Sequence, residues 1–132
     1  MKVTDAPIGI SDAENLARRS DGALVVFAGI VRDETEGRAV KAIEYESYAE
    51  LAEKQMREIA DSAVRQFGLG AVLLIHRTGN LEVGEVSVVA AVSAPHREAA
   101  FEGCRFCIDT VKQQAAVWKK ELFADGNSGW VG

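Results

Sequence analysis

The chain has 132 residues, of which 48% are hydrophobic and 27% are charged, a balance typical of one folded domain spanning residues 1–132. Its formal net charge is −5, which argues against a general nucleic-acid binder, because such proteins carry a basic face. No apolar run approaches the roughly 20 residues of a membrane span, and the N-terminus lacks the apolar core of a secretory signal, so we expect a cytoplasmic protein.

The first part of the chain predicts a short helix and two strands. Ser11 and Glu14 form a capping-box pattern, so a helix is expected from there to about Arg19. A run rich in β-branched residues at 23–32 predicts a buried strand. The alternating pattern at 39–48 predicts a second strand, which we expect to pair with the first.

The middle of the chain predicts a long helix and a hairpin. Apolar residues spaced three and four apart predict a helix ending near Phe67, with Gly68 just beyond its C-terminus. Two further strands are predicted at 71–78 and 86–94. The segment GNLEVGE between them contains glycine and suits a hairpin connection.

The last part predicts a third helix at 95–114 and a final strand at 115–123, followed by a turn-like tail in which Trp130 and Val131 are able to dock on another surface. The element order is α-β-β-α-β-β-α-β. Three helices and two hairpins of this kind predict an α+β domain with a mainly antiparallel sheet.

Cationic side chains are the candidates for function. His96 and Arg97 open the third predicted helix, where the macrodipole is already positive, so they are either solvated surface charges or part of an anion site. Arg32 ends the first predicted strand. Lys112 and Lys119 stand seven residues apart and would share a face of an unbroken helix.

The sequence is compatible with two roles for the lysines. Lysines at a helix end complement its negative pole, which is a purely structural role. Alternatively, a lysine that is partly buried or lies beside other cations suits proton transfer or nucleophilic attack, and Trp118 could supply the apolar wall that buries it.

Two other pairs favour structural roles. His76 and Arg77 alternate along a strand, which predicts a satisfied buried histidine and a surface arginine. Cys104 and Cys107 form a CxxC in mid-helix without a second CxxC, so buried thiols are favoured over a redox pair or half a zinc site.

Several stretches, in the same order and spacing, resemble the large, catalytic subunit family of molybdopterin synthase, the MoaE family. They are FAGIVR, YESY, IHRTGNLEVGE, HREAAF and WKKE, and the resemblance runs from Gly22 to Val131. It implies a fold of the α/β-hammerhead type. It also implies a sulfurtransferase that installs the two dithiolene sulfurs of molybdopterin on cyclic pyranopterin monophosphate.

The resemblance further implies partners. Sulfur arrives as a thiocarboxylate on the C-terminal Gly-Gly of a small ubiquitin-like subunit, whose tail enters a pocket of the large subunit. Large subunits form a central homodimer with one small subunit at each end, giving a heterotetramer. The resemblance implies neither a metal nor a cofactor of the protein's own.

Residue by residue, the resemblance implies that Lys112 and Lys119 are catalytic. Arg32 and the His96–Arg97 pair match substrate-binding residues, and the pair is expected to reach into the neighbouring subunit's site. Phe27 matches an aromatic residue that lines the family's pocket. Ala116 stands where family members often have proline, so the residue at which the third helix ends is not fixed by the sequence.

Two alternatives to the enzyme remain. The chain could be a non-catalytic anion-binding adaptor that keeps the fold and the partner groove. It could also be a redox or zinc protein built on its CxxC, which is the weakest of the three hypotheses.

Overall fold

The computed structural model describes residues 1–131, so Gly132, the last residue of the expected domain, lies outside the described residues. Two α-helices and a set of strands make up the fold. The helices are α1 (Ala49–Phe67) and α2 (Arg97–Gln114). The strands in chain order are β1 (Lys2–Thr4), β2 (Ala23–Ile30), β3 (Glu34–Thr35), β4 (Arg38–Ser47), β5 (Ala71–Arg77), β6 (Gly79–Glu82), β7 (Val86–Ala94), β8 (Val117–Phe123) and β9 (Ser128–Val131).

The strands form two sheets. The first has the order β1-β5-β7-β2, in which only the β1–β5 pair is parallel. In the second, β4 pairs with β3, β6 and β8, and β9 adds to the outer edge of β8, all antiparallel. The predicted α+β class with mainly antiparallel pairing is therefore confirmed, but the strands form two sheets and not the single sheet that was predicted.

Each sheet has its own core. Helices α1 and α2 pack on each other and on the first sheet, burying Met56, Leu74 and Val92 among others. A smaller core under the second sheet consists of four almost fully buried residues, Val31, Val40, Ile43 and Leu81. Neither helix in residues 1–131 is long and apolar enough to cross a bilayer.

The prediction of three helices, and with it the predicted element order, is wrong at the N-terminus. Residues Ile10–Ala13 form a single 3₁₀ turn, and the Asp12 carboxylate accepts the Gly9 N–H at 2.8 Å in place of the expected Ser11–Glu14 box. Only Ala13 of this turn is buried. One small apolar contact does not offset the unfavourable nucleation of a longer helix.

Two predictions of strand pairing also need correction. β4 does not pair with β2, because β2 lies along β7 in the first sheet while β4 is the centre of the second. β5 and β7 do pair, but their connection is not a simple turn, since β6 within it pairs with β4. The reason is Leu81 of β6, which is fully buried in the second core.

The long helices agree with their predictions except at one end. Gly68 follows α1 in the left-handed conformation, with φ of 69°, and its N–H donates to the Val64 carbonyl. α2 ends at Gln114 as expected but begins at Arg97. His96 is extended, with φ of −131° and ψ of 153°, so Pro95 and His96 precede the helix.

Candidate active site

A cavity of about 210 Å³ lies where the C-terminal part of α2 meets strands of both sheets. Polar and cationic groups from distant parts of the chain converge there on an apolar wall, the mixture expected of a small-molecule site. The lining residues are Tyr45, His76, Ser87, Val88, Val111, Lys112, Val117, Trp118 and Lys119.

Both lysines proposed as catalytic line this cavity, but they reach it from different elements. Lys112 lies in the last turn of α2 and Lys119 lies on β8. Ala115 takes an extended conformation, with φ of −71° and ψ of 142°, and ends the helix between them. They are therefore not aligned on one helix as their spacing suggested, although they share one cavity.

The connection between the lysines is anchored to the start of α1. The N–H of Ala116 donates to Gln55 Oε1 at 2.7 Å, and the Ala116 carbonyl accepts the N–H of Tyr48 at 3.1 Å. A proline at position 116 could not make the first of these bonds, because it has no N–H. In this chain, the bond helps to fix where β8 begins and hence where Lys119 stands.

His76 is a residue of the cavity that sequence reasoning did not identify as functional. Its burial was predicted correctly, and its Nδ1 lies 2.8 Å from the carbonyl oxygen of Arg77. Its ring meets the edge of Tyr45 at a centroid distance of 4.9 Å. Burial lowers the pKa of His76, and the charge of Lys112 lowers it further.

Arg77 is not the surface residue that was expected. Its side chain is only 13% exposed, and Nη1 donates to Glu85 Oε1 at 2.8 Å. Strand alternation correctly placed it on the other face from His76, but it could not show that Glu85 would cover it. The pair joins the end of β5 to the start of β7.

Tyr45 lines the cavity, and the buried Glu121 lies near it. Burial raises the pKa of Tyr45 and the charge of Glu121 raises it further, while a hydrogen bond with Ser87 acts in the opposite direction. Glu121 is 3% exposed, and its Oε2 has no hydrogen-bond partner within residues 1–131. Glu121 and Lys119 lie two residues apart on the same face of β8.

Trp118 lines the cavity, as the sequence suggested for an apolar wall. Its ring meets the edge of the exposed Tyr48 ring at 5.3 Å. The aromatic pair lies next to the connection from α2 to β8. Nothing in the local sequence pattern indicated that Tyr48 would contact it.

The remaining predicted site residues lie outside this cavity within one chain. Arg32 is exposed after β2, beside a separate depression shared with Gly37 and Gly84. Phe27 is 37% exposed on β2, the edge strand of the first sheet.

His96 and Arg97 are also exposed, at the opposite end of α2 from Lys112. Arg97 and Lys112 are fifteen positions apart, which corresponds to about 22 Å along the helix axis. A single chain therefore does not bring this pair to the two lysines.

Cys104 and Cys107 are buried in α2, as predicted. Burial raises the pKa of Cys104, and burial together with the neighbouring Cys104 raises the pKa of Cys107 to about 12. The Cys104 thiol donates to the Ala90 carbonyl at 3.4 Å. Neutral thiols in these positions are poor nucleophiles and poor metal ligands.

Comparison with known proteins connects this sequence and fold to one family. A family model described as MoaE protein matches residues 3–114. The "Molybdopterin synthase catalytic subunit" of Thermoplasma volcanium is 39% identical over 98% of this chain and 96% of its own length. The protein of the same name from Rhizobium meliloti is 46% identical over 87% of this chain and 74% of its own.

Solved structures agree with the sequence comparison. The crystal structure of molybdopterin synthase from Staphylococcus aureus superposes with a TM-score of 0.93 at 33% identity, covering 99% of this chain and 96% of that one. The match includes β8, which carries Lys119 and lies beyond the residues matched by the family model. The chain belongs to the MoaE family.

Proposed function

We propose that this chain is the catalytic subunit of a molybdopterin synthase. It acts as a sulfurtransferase in molybdenum cofactor biosynthesis, converting cyclic pyranopterin monophosphate into the dithiolene molybdopterin. Family membership and the names of its relatives support this activity. The observation that locates this activity in the structure is that Lys112 and Lys119 line one cavity.

Lys112 and Lys119 are the proposed catalytic groups. Attack by a thiocarboxylate passes through charged intermediates, and a positioned ammonium stabilises such charge where it develops. Loss of water and opening of the cyclic phosphate also require protons to move, which lysine side chains can do. The register of β8 against β4 supports these roles, because it holds Lys119 opposite Tyr45 and facing the cavity.

The proposed sulfur donor is a small ubiquitin-like subunit with a thiocarboxylate on its C-terminal Gly-Gly. Two glycines make a tail without side chains, which suits a small cavity with an apolar wall. Val117 and Trp118 supply that wall here.

The proposed substrate-binding residues are Arg32, His96, Arg97 and Phe27. The two arginines and the histidine are donors suited to a phosphate. The distance of about 22 Å along α2 supports a role for the His96–Arg97 pair in a neighbouring subunit's site. A homodimer with one small subunit at each end, a heterotetramer, is the assembly we propose.

An exposed sheet edge supports the proposed dimer. β2 is an edge strand of the first sheet, and Leu24, Phe27 and Ile30 on it are all more than a third exposed. Apolar side chains on an open edge favour association with another chain. We further assign the fold to the α/β-hammerhead type and the protein to the cytoplasm.

Reconstitution tests this function. The purified chain is combined with the thiocarboxylated small subunit and the cyclic precursor, and mass spectrometry follows the gain of two sulfur atoms. We expect product with the thiocarboxylate and none with the ordinary carboxylate. Binding of the small subunit without any product would instead indicate a non-catalytic adaptor.

A further inference from the structure

One ring nitrogen of His76 is committed to the backbone and the other is free. The Arg77 carbonyl oxygen, 2.8 Å from Nδ1, can only accept a hydrogen bond, so Nδ1 must carry the proton. In the neutral ring, Nε2 then has a lone pair. Within residues 1–131 no group hydrogen-bonds to Nε2, and the ring lines the cavity.

The groups around His76 keep the ring neutral. Lys112 approaches from α2 and Lys119 from β8, so two ammonium groups share the cavity with it. Tyr45 on β4 lines the cavity, and Glu121 on β8 lies close enough to Tyr45 to raise its pKa. Burial and the charge of Lys112 outweigh the opposing hydrogen bond to the backbone and hold the pKa of His76 below its ordinary value.

A neighbouring proton acceptor is one way to activate a lysine as a base or nucleophile. An ammonium group has no lone pair and must first lose a proton. Tyr45 is a poor acceptor because a neutral phenol is a very weak base, and the same holds for the Ser87 hydroxyl. Apart from the lysines themselves, the unprotonated Nε2 of His76 is the strongest neutral base among the lining residues.

We propose that His76 is the proton acceptor of the cavity and takes a proton from the Lys112 ammonium through Nε2. The N–H bond at Lys112 Nζ breaks and its electron pair remains on Nζ, while a new N–H bond forms at Nε2. Charge moves from the amine to the imidazole, and nothing is oxidised or reduced. The proton returns to a leaving group or to water later in turnover. This inference rests on the proposed function.

The variant His76→Asn separates proton acceptance from structure. The amide N–H₂ of asparagine can reach the position of Nδ1 and still donate to the Arg77 carbonyl, but it offers nothing in place of Nε2. We expect the single-turnover rate of dithiolene formation to fall about 100-fold, with precursor binding unchanged. The wild-type rate should fall as the pH drops through the pKa of His76, because the protonated ring accepts no further proton. This fall forms the acidic limb of the pH profile, and the variant should lack it.

Two controls make the result specific. Leu74→Val perturbs the same strand and the core but not the cavity, and it should keep the wild-type pH profile per folded molecule. His76→Ala should regain rate on addition of imidazole, which a purely structural role would not allow. A rate close to wild type in His76→Asn overturns the proposal. The proposal also fails if His76→Asn is slow but keeps the acidic limb of the pH profile and imidazole does not rescue His76→Ala.

A measurement without turnover distinguishes this inference from the proposed function. Nitrogen-15 NMR of the histidine ring should show the Nδ1–H tautomer at neutral pH, and Lys112→Ala should raise the pKa of His76 by removing a nearby positive charge. A ring that carries its proton on Nε2 overturns the inference even if the enzyme is active. The absence of product from the wild-type protein overturns the proposed function whatever the tautomer.

Discussion

Gly22 and Pro95 approach each other so closely that a β-carbon at position 22 would clash with the backbone of Pro95. A β-carbon built on Gly22 would lie 2.5 Å from the carbonyl oxygen of Pro95. The N–H of Gly22 also donates to the Ala94 carbonyl at 3.0 Å. These contacts hold the start of β2 against the segment that leads into His96 and Arg97.

We expect Gly22→Ala to lower the free energy of unfolding by about 1–3 kcal/mol, because the obstacle is backbone and cannot rotate away. Gly9→Ala is the matched control, since a β-carbon there meets nothing within 4 Å and its φ of −172° suits any residue. Chemical denaturation of both variants measures the difference. Equal stability of the two variants would show that the Pro95 contact has no energetic consequence.

Asp21 predicts a dependence of stability on pH. Its enclosed carboxylate accepts the Arg18 N–H at 2.9 Å and the Ser93 hydroxyl at 2.8 Å, and the Arg18 N–H is the main cause of its lowered pKa. A lowered pKa contributes stability above the unfolded value of about 3.9, and this is lost as the pH falls through the folded value. Asp21→Asn should therefore destabilise the protein at neutral pH, and the difference from wild type should shrink below about pH 4.

Urea denaturation at several pH values checks this prediction. Asp61→Asn is the control, because Asp61 is exposed on α1. A difference between Asp21→Asn and wild type that stays constant from neutral pH to the acidic range would refute the role of the ionised carboxylate.

The proposed sharing of sites between subunits predicts complementation. Lys119→Ala and Arg97→Ala should each be inactive or nearly so as pure dimers. Mixing and re-equilibrating them should restore activity, because one of the two sites in a mixed dimer then combines an intact Lys119 with an intact Arg97. A mixture that is no more active than the separate variants would contradict the proposed sharing of sites.

The cysteines predict slow thiol chemistry. The chain has two cysteines, both buried, and the Cys107 pKa of about 12 keeps its thiol neutral. We expect a chromogenic disulfide reagent to leave both unreacted in the folded protein and to titrate both after denaturation. Rapid reaction of either thiol in the native state would reopen a redox role.

The sequence was sufficient to predict elements that are determined by a local residue pattern. The apolar stripe of α1 and the left-handed Gly68 follow from residue spacing and backbone preference alone. The start of α2 was predicted two residues too early, at Pro95. Proline suits the first position of a helix, but it suits a turn that precedes the helix equally well.

Long-range pairing was not readable from local pattern. β6 is four residues long and joins β4 because Leu81 fits a second core that only the folded chain creates. The same limit applies to the site. Spacing suggested that Lys112 and Lys119 belong together, but the presence of His76 and Tyr45 beside them depends on three strands and a helix meeting.

Single-turnover dithiolene formation by Lys119→Ala tests most directly whether the cavity containing Lys119 transfers sulfur. Lys54→Ala is the matched control, because Lys54 is an exposed lysine on α1 whose ammonium lies 4.0 Å from the Glu58 carboxylate. We predict no detectable product from Lys119→Ala, with its fold and its binding of the small subunit retained, and wild-type product from Lys54→Ala. Wild-type rates from Lys119→Ala would contradict the account.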